Sequence, residues 1–260
     1  MIDLHCHILP GIDDGPATMG ESLDMCRIAY EDGIRTIVAT PHFMRGEQEY
    51  LPSRVRAEFE ALVTEVCRQG IGIDLLLGAD VAVTPETPLY LRQVPQLTLN
   101  GTGRYFLAEL PHEAVPLNWD RFLLAMAQQG MVPILTHPER HRWFLKRPDA
   151  LYDFVGGGGL VQVTAMSLTG ENGEEVRRFC CSLLQRALAH VIATDAHAPA
   201  GRAPLLAKAV DAAARVIGAE EAYRMASETP RRILRGEMLD LAGPRRVQER
   251  VPWYRRLLGA

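Results

Sequence analysis

His5 and His7 stand two residues apart in the run Met-Ile-Asp-Leu-His-Cys-His that opens the chain, just before a Pro10–Gly11 turn. Residues i and i+2 of a strand project to the same side. Two imidazoles therefore converge at a strand's C-terminal end, the usual way of presenting metal ligands. The pair alone is a modest signal, but the pattern recurs. Further apolar runs close on His42, on Asp80, on Glu109, on His137, and on Asp195 with His197. The Gly-Ile-Asp-Asp-Gly loop after the first run adds Asp13 or Asp14, and its spacing does not choose between them. Nitrogen and oxygen donors without cysteine suit Mn²⁺, Fe²⁺ or Zn²⁺. Nine such positions are too many for one ion and fit a cluster of two or three.

A cluster of this kind points to hydrolysis. Bridging ions bring the pKa of bound water toward about 7 and clamp the attacking and leaving oxygens of a phosphoryl group. Arg140, in His137-Pro138-Glu139-Arg140, and Arg202, shortly after Asp195-Ala196-His197, lie beside the ligands. Arginine is the bidentate partner of phosphate, although either residue could equally be a surface charge. His112, His141 and His190 have no periodic partners and read as ordinary structural histidines.

The elements that must position these residues are short runs rich in aliphatic and β-branched side chains at 1–5, 36–40, 74–83, 105–110, 132–137, 160–165 and 191–194. They are continuously apolar, as parallel strands buried on both faces are. Helices are predicted between them at 19–32, 52–68, 118–129, 147–154, 173–189 and 203–217. Gly33, Gly70 and Gly130 stand where helices should stop. Seven strand–helix alternations without a linker predict one closed or nearly closed (β/α) barrel, with an open doubly wound sheet as the alternative. Catalytic side chains of a barrel sit at the C-terminal ends of its strands. Six of the seven runs end at or beside a metal-capable residue, whereas the sixth offers only Gln162 and Thr164.

Composition agrees with a globular enzyme. The 260 residues are 47% hydrophobic and 23% charged, with a net charge of −4 that gives no footprint for nucleic acid. Five cysteines, an odd number without a CxxC pair, favour reduced thiols and a cytoplasmic setting. No signal peptide or membrane span is expected. Residues 1–240 read as one domain and 241–260 as an arginine-rich tail. Cys180 and Arg186 have the Cys-x5-Arg spacing of cysteine phosphatases, but the intervening Cys-Ser-Leu-Leu-Gln has no glycine and continues a helix, so coincidence is the better explanation.

At these motifs the sequence resembles the polymerase and histidinol phosphatase (PHP) superfamily, and within it the bacterial capsule and exopolysaccharide protein-tyrosine phosphatases. The matching stretches are 1–16, Thr-Ile-Val-Ala-Thr-Pro-His at 36–42, Thr-His-Pro-Glu-Arg at 136–140, Ala-Thr-Asp-Ala-His at 193–197 and the segment that starts at Glu228. The resemblance implies a distorted (β/α)₇ barrel with two or three divalent ions, Mn²⁺ first among them. It implies one ion on His5, His7, Asp80 and Asp195, a second on Asp80, Glu109 and His137, and a third on Asp14, His42 and His197. Arg140 and Arg202 would hold the phosphoryl group. The implied partner is a phosphotyrosine protein, the tyrosine-rich tail of a bacterial kinase of polysaccharide export, and a homo-oligomer is left open. One departure stands out: Asp80 occupies the position expected to carry a bridging Glu, so metal spacing or occupancy could differ. Two other readings compete. One keeps the metals but acts on a small phosphomonoester such as histidinol phosphate, and the other is a catalytically silent binding barrel.

Overall fold

The computed structural model describes residues 1–43, 52–111, 114–241 and 243–245. His112 and most of the arginine-rich tail lie outside these. Nine strands, all paired in parallel, are β1 (Ile2–Cys6), β2 (Thr36–Ala39), β3 (His42–Phe43), β4 (Asp74–Leu77), β5 (Asp80–Ala82), β6 (Tyr105–Glu109), β7 (Val132–Thr136), β8 (Leu160–Thr164) and β9 (Val191–Ala193). They form a three-stranded sheet β1-β2-β4 and a six-stranded sheet β3-β5-β6-β7-β8-β9.

The predicted strand at 36–40 is followed beyond its predicted end by a further short strand, and that at 74–83 is broken once, which is why there are nine strands and not seven among the described residues. Pro41 cannot donate to a ladder, and the first run resumes only at His42. The second breaks at Gly78–Ala79, where a Cβ on Gly78 would press Leu99 at 3.0 Å and Val38 at 3.3 Å. Backbone bonds carry the pairing across both breaks, from Gly78 N–H to Ala39 O at 2.9 Å and from Asp80 N–H to Pro41 O at 3.1 Å. At the far edges β1 and β9 meet through a Cys6–Ala196 bridge and a bond from Asp195 N–H to His5 O of 2.8 Å. Strand order thus follows the chain around a distorted barrel, with an interrupted ladder in place of a closed one.

Alternation along each strand sorts two cores. Ile2, Leu4, Val38, Tyr105, Leu107, Ile134, Leu160, Val191 and Ala193 form an inner cluster, which Ile233 and Leu234 of the helix Glu228–Leu234 join. Phe106, Ala108, Leu135, Val161, Val163 and Ile192 turn outward to the helices. All five residues of β6 and of β8 are buried, so no polar alternation survives in the sequence. The same period aims chemistry inward: Glu109 follows Tyr105 and Leu107, and Gln162 follows Leu160.

The predicted helices appear at Met19–Glu31, Pro52–Arg68, Trp119–Ala127, Ala150–Gly156, Glu174–Gln185 and Ala207–Ile217. The first is started by a capping box of Thr18 and Glu21. Gly33 and Gly130, at φ +93° and +88°, end two of them as expected. The run predicted to end at 165 stops at Thr164, where a short helix, Ala165–Thr169, begins.

His190 has the structural role expected of it. Its Nδ1 accepts the Val161 N–H at 3.1 Å, and burial lowers its pKa to about 4. The folded state therefore holds it neutral while the unfolded chain protonates near about 6.5. Stability contributed above that pH is lost as pH falls toward 4. In urea titrations at pH 7 and pH 5, His190→Asn is expected to lose less stability than wild type. An equal loss would remove His190 as a source of acid sensitivity.

Candidate metal centre

All nine proposed ligands lie at one end of the barrel. His5 Nε2 is 3.1 Å from His7 Nε2, 3.5 Å from Asp80 Oδ2 and 3.5 Å from Asp195 Oδ1. His42 spans two groups, with Nδ1 at 3.4 Å from both Asp80 Oδ2 and Glu109 Oε2, and Nε2 at 3.4 Å from Asp14 Oδ1. His197 Nε2 is 3.2 Å from Asp14 Oδ1, and the His137 ring centre lies 5.8 Å from that of His5. Four sets bring one donor atom each within 4.8 Å of one another: His7, Asp14, His42 and His197; His5, His7 and Asp80; His5, His137 and Asp195; His42, Asp80 and Glu109. The Asp14, His42 and His197 set coincides with one implied above, while His137 groups with His5 and Asp195.

Backbone strain is concentrated here. His137 and Asp195 have φ +34° and +52° at the ends of β7 and β9, a region that bulky residues seldom occupy. Both side chains turn into the cluster at that cost.

The donor set fits divalent cations. Asp80 is fully buried, yet neither carboxylate oxygen accepts a hydrogen bond. A buried carboxylate that accepts no hydrogen bond is unfavourable unless positive charge faces it, and among the described residues only the imidazoles of His42 and His5 do so, at 3.4 and 3.5 Å. His5 donates Nδ1–H to Gln162 Oε1 at 2.9 Å, and His7 donates Nδ1–H to Asp13 Oδ2 at 2.8 Å. Both Nε2 atoms are thereby turned toward each other, so that a metal ion would find both lone pairs and, without one, a proton on His5 bridges them.

Charge tuning follows the same logic. Burial opposes protonation of His5, but Asp80 and Asp195 outweigh it and raise its pKa to about 9. Burial likewise opposes protonation of His42, and Asp14, Asp80 and Glu109 drive it up to about 12. His7 and His137 are lowered by burial to about 4 and about 3. Asp14 is held well below the usual carboxylate range by His197 and His42. Asp80 and Asp195 are held low against burial, in both cases with His5 as the leading opposing charge.

The two arginines meet on one carboxylate. Arg140 Nη1 donates to Asp195 Oδ2 at 2.5 Å and Arg202 Nη2 to the same oxygen at 3.0 Å. Asp195 Oδ1 faces the histidines, so this side chain joins the cluster to its guanidinium flank. About a third of each arginine stays exposed, 33% for Arg140 and 37% for Arg202. By contrast, Cys180 lies within the helix Glu174–Gln185 with its thiol pKa pushed up by burial, and Arg186 pairs with Asp149. That spacing builds no phosphate loop.

Asp3 and Glu139 were not singled out by sequence, and Asp13 and Gln162 were noted there without the orienting roles they hold. Asp3, wholly buried, accepts the Thr194 N–H at 3.0 Å and pins β1 to the end of β9. Burial raises its pKa to about 6. Glu139, also wholly buried, accepts the Thr164 N–H at 2.8 Å and ties the Pro138–Arg140 turn to β8. Gln162 and Asp13 orient the first two imidazoles. The only readable hint was polarity inside otherwise apolar strands.

An α/β barrel whose rim gathers five imidazoles and four carboxylates is a candidate multinuclear metal centre. The chain belongs to the CpsB/CapC family of capsular polysaccharide synthesis proteins, which it matches over residues 1–235. It is 33% identical over 250 residues to the tyrosine-protein phosphatase YwqE of Bacillus subtilis, covering 96% of this chain and 98% of that one. It is 28% identical to the tyrosine-protein phosphatase CpsB of Streptococcus pneumoniae, covering 92% and 100%. A crystal structure from work on YwqE and CpsB, described as unique metal-dependent tyrosine phosphatases, superposes with a TM-score of 0.89 at 32% identity, covering 96% of this chain and all of that one.

Because the cluster holds protons on His5 and His42 near neutrality, an incoming ion must displace them. Affinity for Mn²⁺ is therefore expected to rise between about pH 6 and 8, with proton release on binding. Calorimetry in buffers of different ionisation heat measures both. An affinity independent of pH, without proton release, would contradict this account of the donors.

Proposed function

We propose that the protein is a metal-dependent protein-tyrosine phosphatase acting on a bacterial tyrosine kinase of polysaccharide synthesis or export. The observation that carries the reading is the convergence of nine donors beside two arginines. The family supports the substrate class. Residues 1–240 would form the catalytic domain. Two or three ions, with Mn²⁺ favoured over Fe²⁺ or Zn²⁺, would divide among His5, His7, Asp80 and Asp195; Asp80, Glu109 and His137; and Asp14, His42 and His197. Among the described residues no helix is long and apolar enough to cross a membrane. A cytoplasmic setting is proposed from the cysteines.

Bound divalent ions would supply an activated water and neutralise phosphoryl charge. The protein's own residues supply the rest. Arg140 and Arg202 each spend one nitrogen on Asp195, which leaves N–H donors of both for the oxygens of a phosphoryl group at the exposed edge. Asp195 fixes the angle between them. Arginine does not serve as a proton donor. This suits a phenolate leaving group, whose pKa of about 10 needs less acid assistance than an alkoxide.

His137→Ala is expected to abolish hydrolysis of a phosphotyrosine peptide while the fold is kept, because rim residues support the site more than the core. Wild-type kcat in added Mn²⁺ would refute the metal mechanism. Arg140→Ala is expected to lower kcat/KM by about 10²-fold with metal content unchanged, and unaltered kinetics would return Arg140 to the surface. Turnover of histidinol phosphate above that of the peptide would favour the small-molecule reading. Metal content near zero in replete medium would favour the silent barrel.

A further inference from the structure

The loop after β1 offers two adjacent carboxylates with opposite surroundings. The Asp14 side chain is 55% exposed and that of Asp13 is 2% exposed. Asp13 makes three hydrogen bonds with two oxygens. Its Oδ2 accepts His7 Nδ1–H at 2.8 Å and the backbone N–H of His42 at 3.1 Å, and its Oδ1 accepts the Gly15 N–H at 3.0 Å. One carboxylate thus ties the end of β1, the start of β3 and the turn that carries Asp14. The turn also sits close against β1, since a Cβ on Gly15 would lie 2.4 Å from His7 O.

We propose that Asp13 is the positioning residue of the outermost ion site, the one formed by Asp14, His42 and His197. Its removal frees Asp14 and the His42 backbone, and His7, which lies within the same set, loses its orienting partner. The three hydrogen bonds of Asp13 go to His7, His42 and Gly15, so Asp80, Glu109 and His137 keep their places. Partners that orient ligands typically govern about 10- to 100-fold in metal affinity. This inference rests on the metal reading above, and metal content separates the failure of one from the failure of the other.

The experiment is metal analysis of the full chain, wild type, Asp13→Ala and Asp13→Asn, equilibrated against graded Mn²⁺, with the thermal midpoint of each chelated protein as a fold control. Asp13→Ala is expected to lose about one ion per chain, regained at 10- to 100-fold higher free Mn²⁺, while the ion on Asp80, Glu109 and His137 binds as in wild type. Asp13→Asn, which keeps one acceptor oxygen, is expected to fall between. If Asp13→Ala does not fold, Asp13→Asn carries the test alone. A wild type without bound metal overturns the metal reading and this inference together. Variants that keep every ion at wild-type affinity overturn the inference alone, as does loss of all ions at once, because Asp13 would then serve the whole cluster.

Discussion

Confining four carboxylates to one buried barrel mouth is the constraint from which the rest of this structure follows. Asp80, Glu109 and Asp195 are all buried, and Asp14 reaches the same cluster from an exposed turn. Like charges this close repel strongly in a medium poorer than water at screening. They coexist only with positive charge interleaved. The protein meets part of that demand with imidazoles, whose pKa values split into two groups: His5 and His42 driven up, His7 and His137 driven down. The split follows from a balance: burial opposes the charge on all four, and around His5 and His42 the carboxylates together outweigh it, whereas at His7, despite its bond to Asp13, and at His137 burial prevails. Arg140 and Arg202 neutralise the outer oxygen of Asp195. Divalent ions are the natural occupants of what remains.

The fold makes the crowding tolerable by separating it from the core. Strand alternation fills the lower barrel with Leu4, Val38, Leu107 and Ile134 and leaves polar side chains to the upper layer. Stability thus resides below, and strain is stored above, at His137 and Asp195. The helix Glu228–Leu234 contributes Ile233 and Leu234 to that apolar floor, and Tyr105 donates its hydroxyl to Glu237 O at 2.6 Å. A rim built on such a base can lose a ligand without losing the barrel.

The ligands were legible in the sequence because they obey a local rule: a polar residue ending an apolar run. His5, His42, Glu109, His137 and Asp195 all satisfy it. The residues that orient them do not. Asp3 and Gln162 sit inside strands, where a single polar residue has no period to betray its partner 191 or 157 positions away. Asp13 and Asp14 are neighbours of one type, and only the fold shows that one faces inward and the other outward. The strand break at Gly78 was likewise hidden, because it interrupts a run whose hydrophobicity continues, and the pairing resumed after Pro41 lies beyond the run read from sequence.

Those breaks bear on the one departure from the resemblance, an Asp where a bridging Glu is expected. A shorter side chain reaches across a metal cluster only if its backbone is brought nearer. β5 begins at Asp80, directly after the interruption, and pairs it in register with His42 at the first residue of β3. From there Asp80 Oδ2 lies 3.4 Å from His42 and 3.5 Å from His5, on two different strands. The carboxylate therefore spans the centre of the cluster despite the missing methylene. With fewer rotatable bonds than Glu it also has less freedom to lose on binding. The exchange trades reach for rigidity, and from the first residue of β5 the shorter arm still comes within 3.5 Å of imidazoles on two strands.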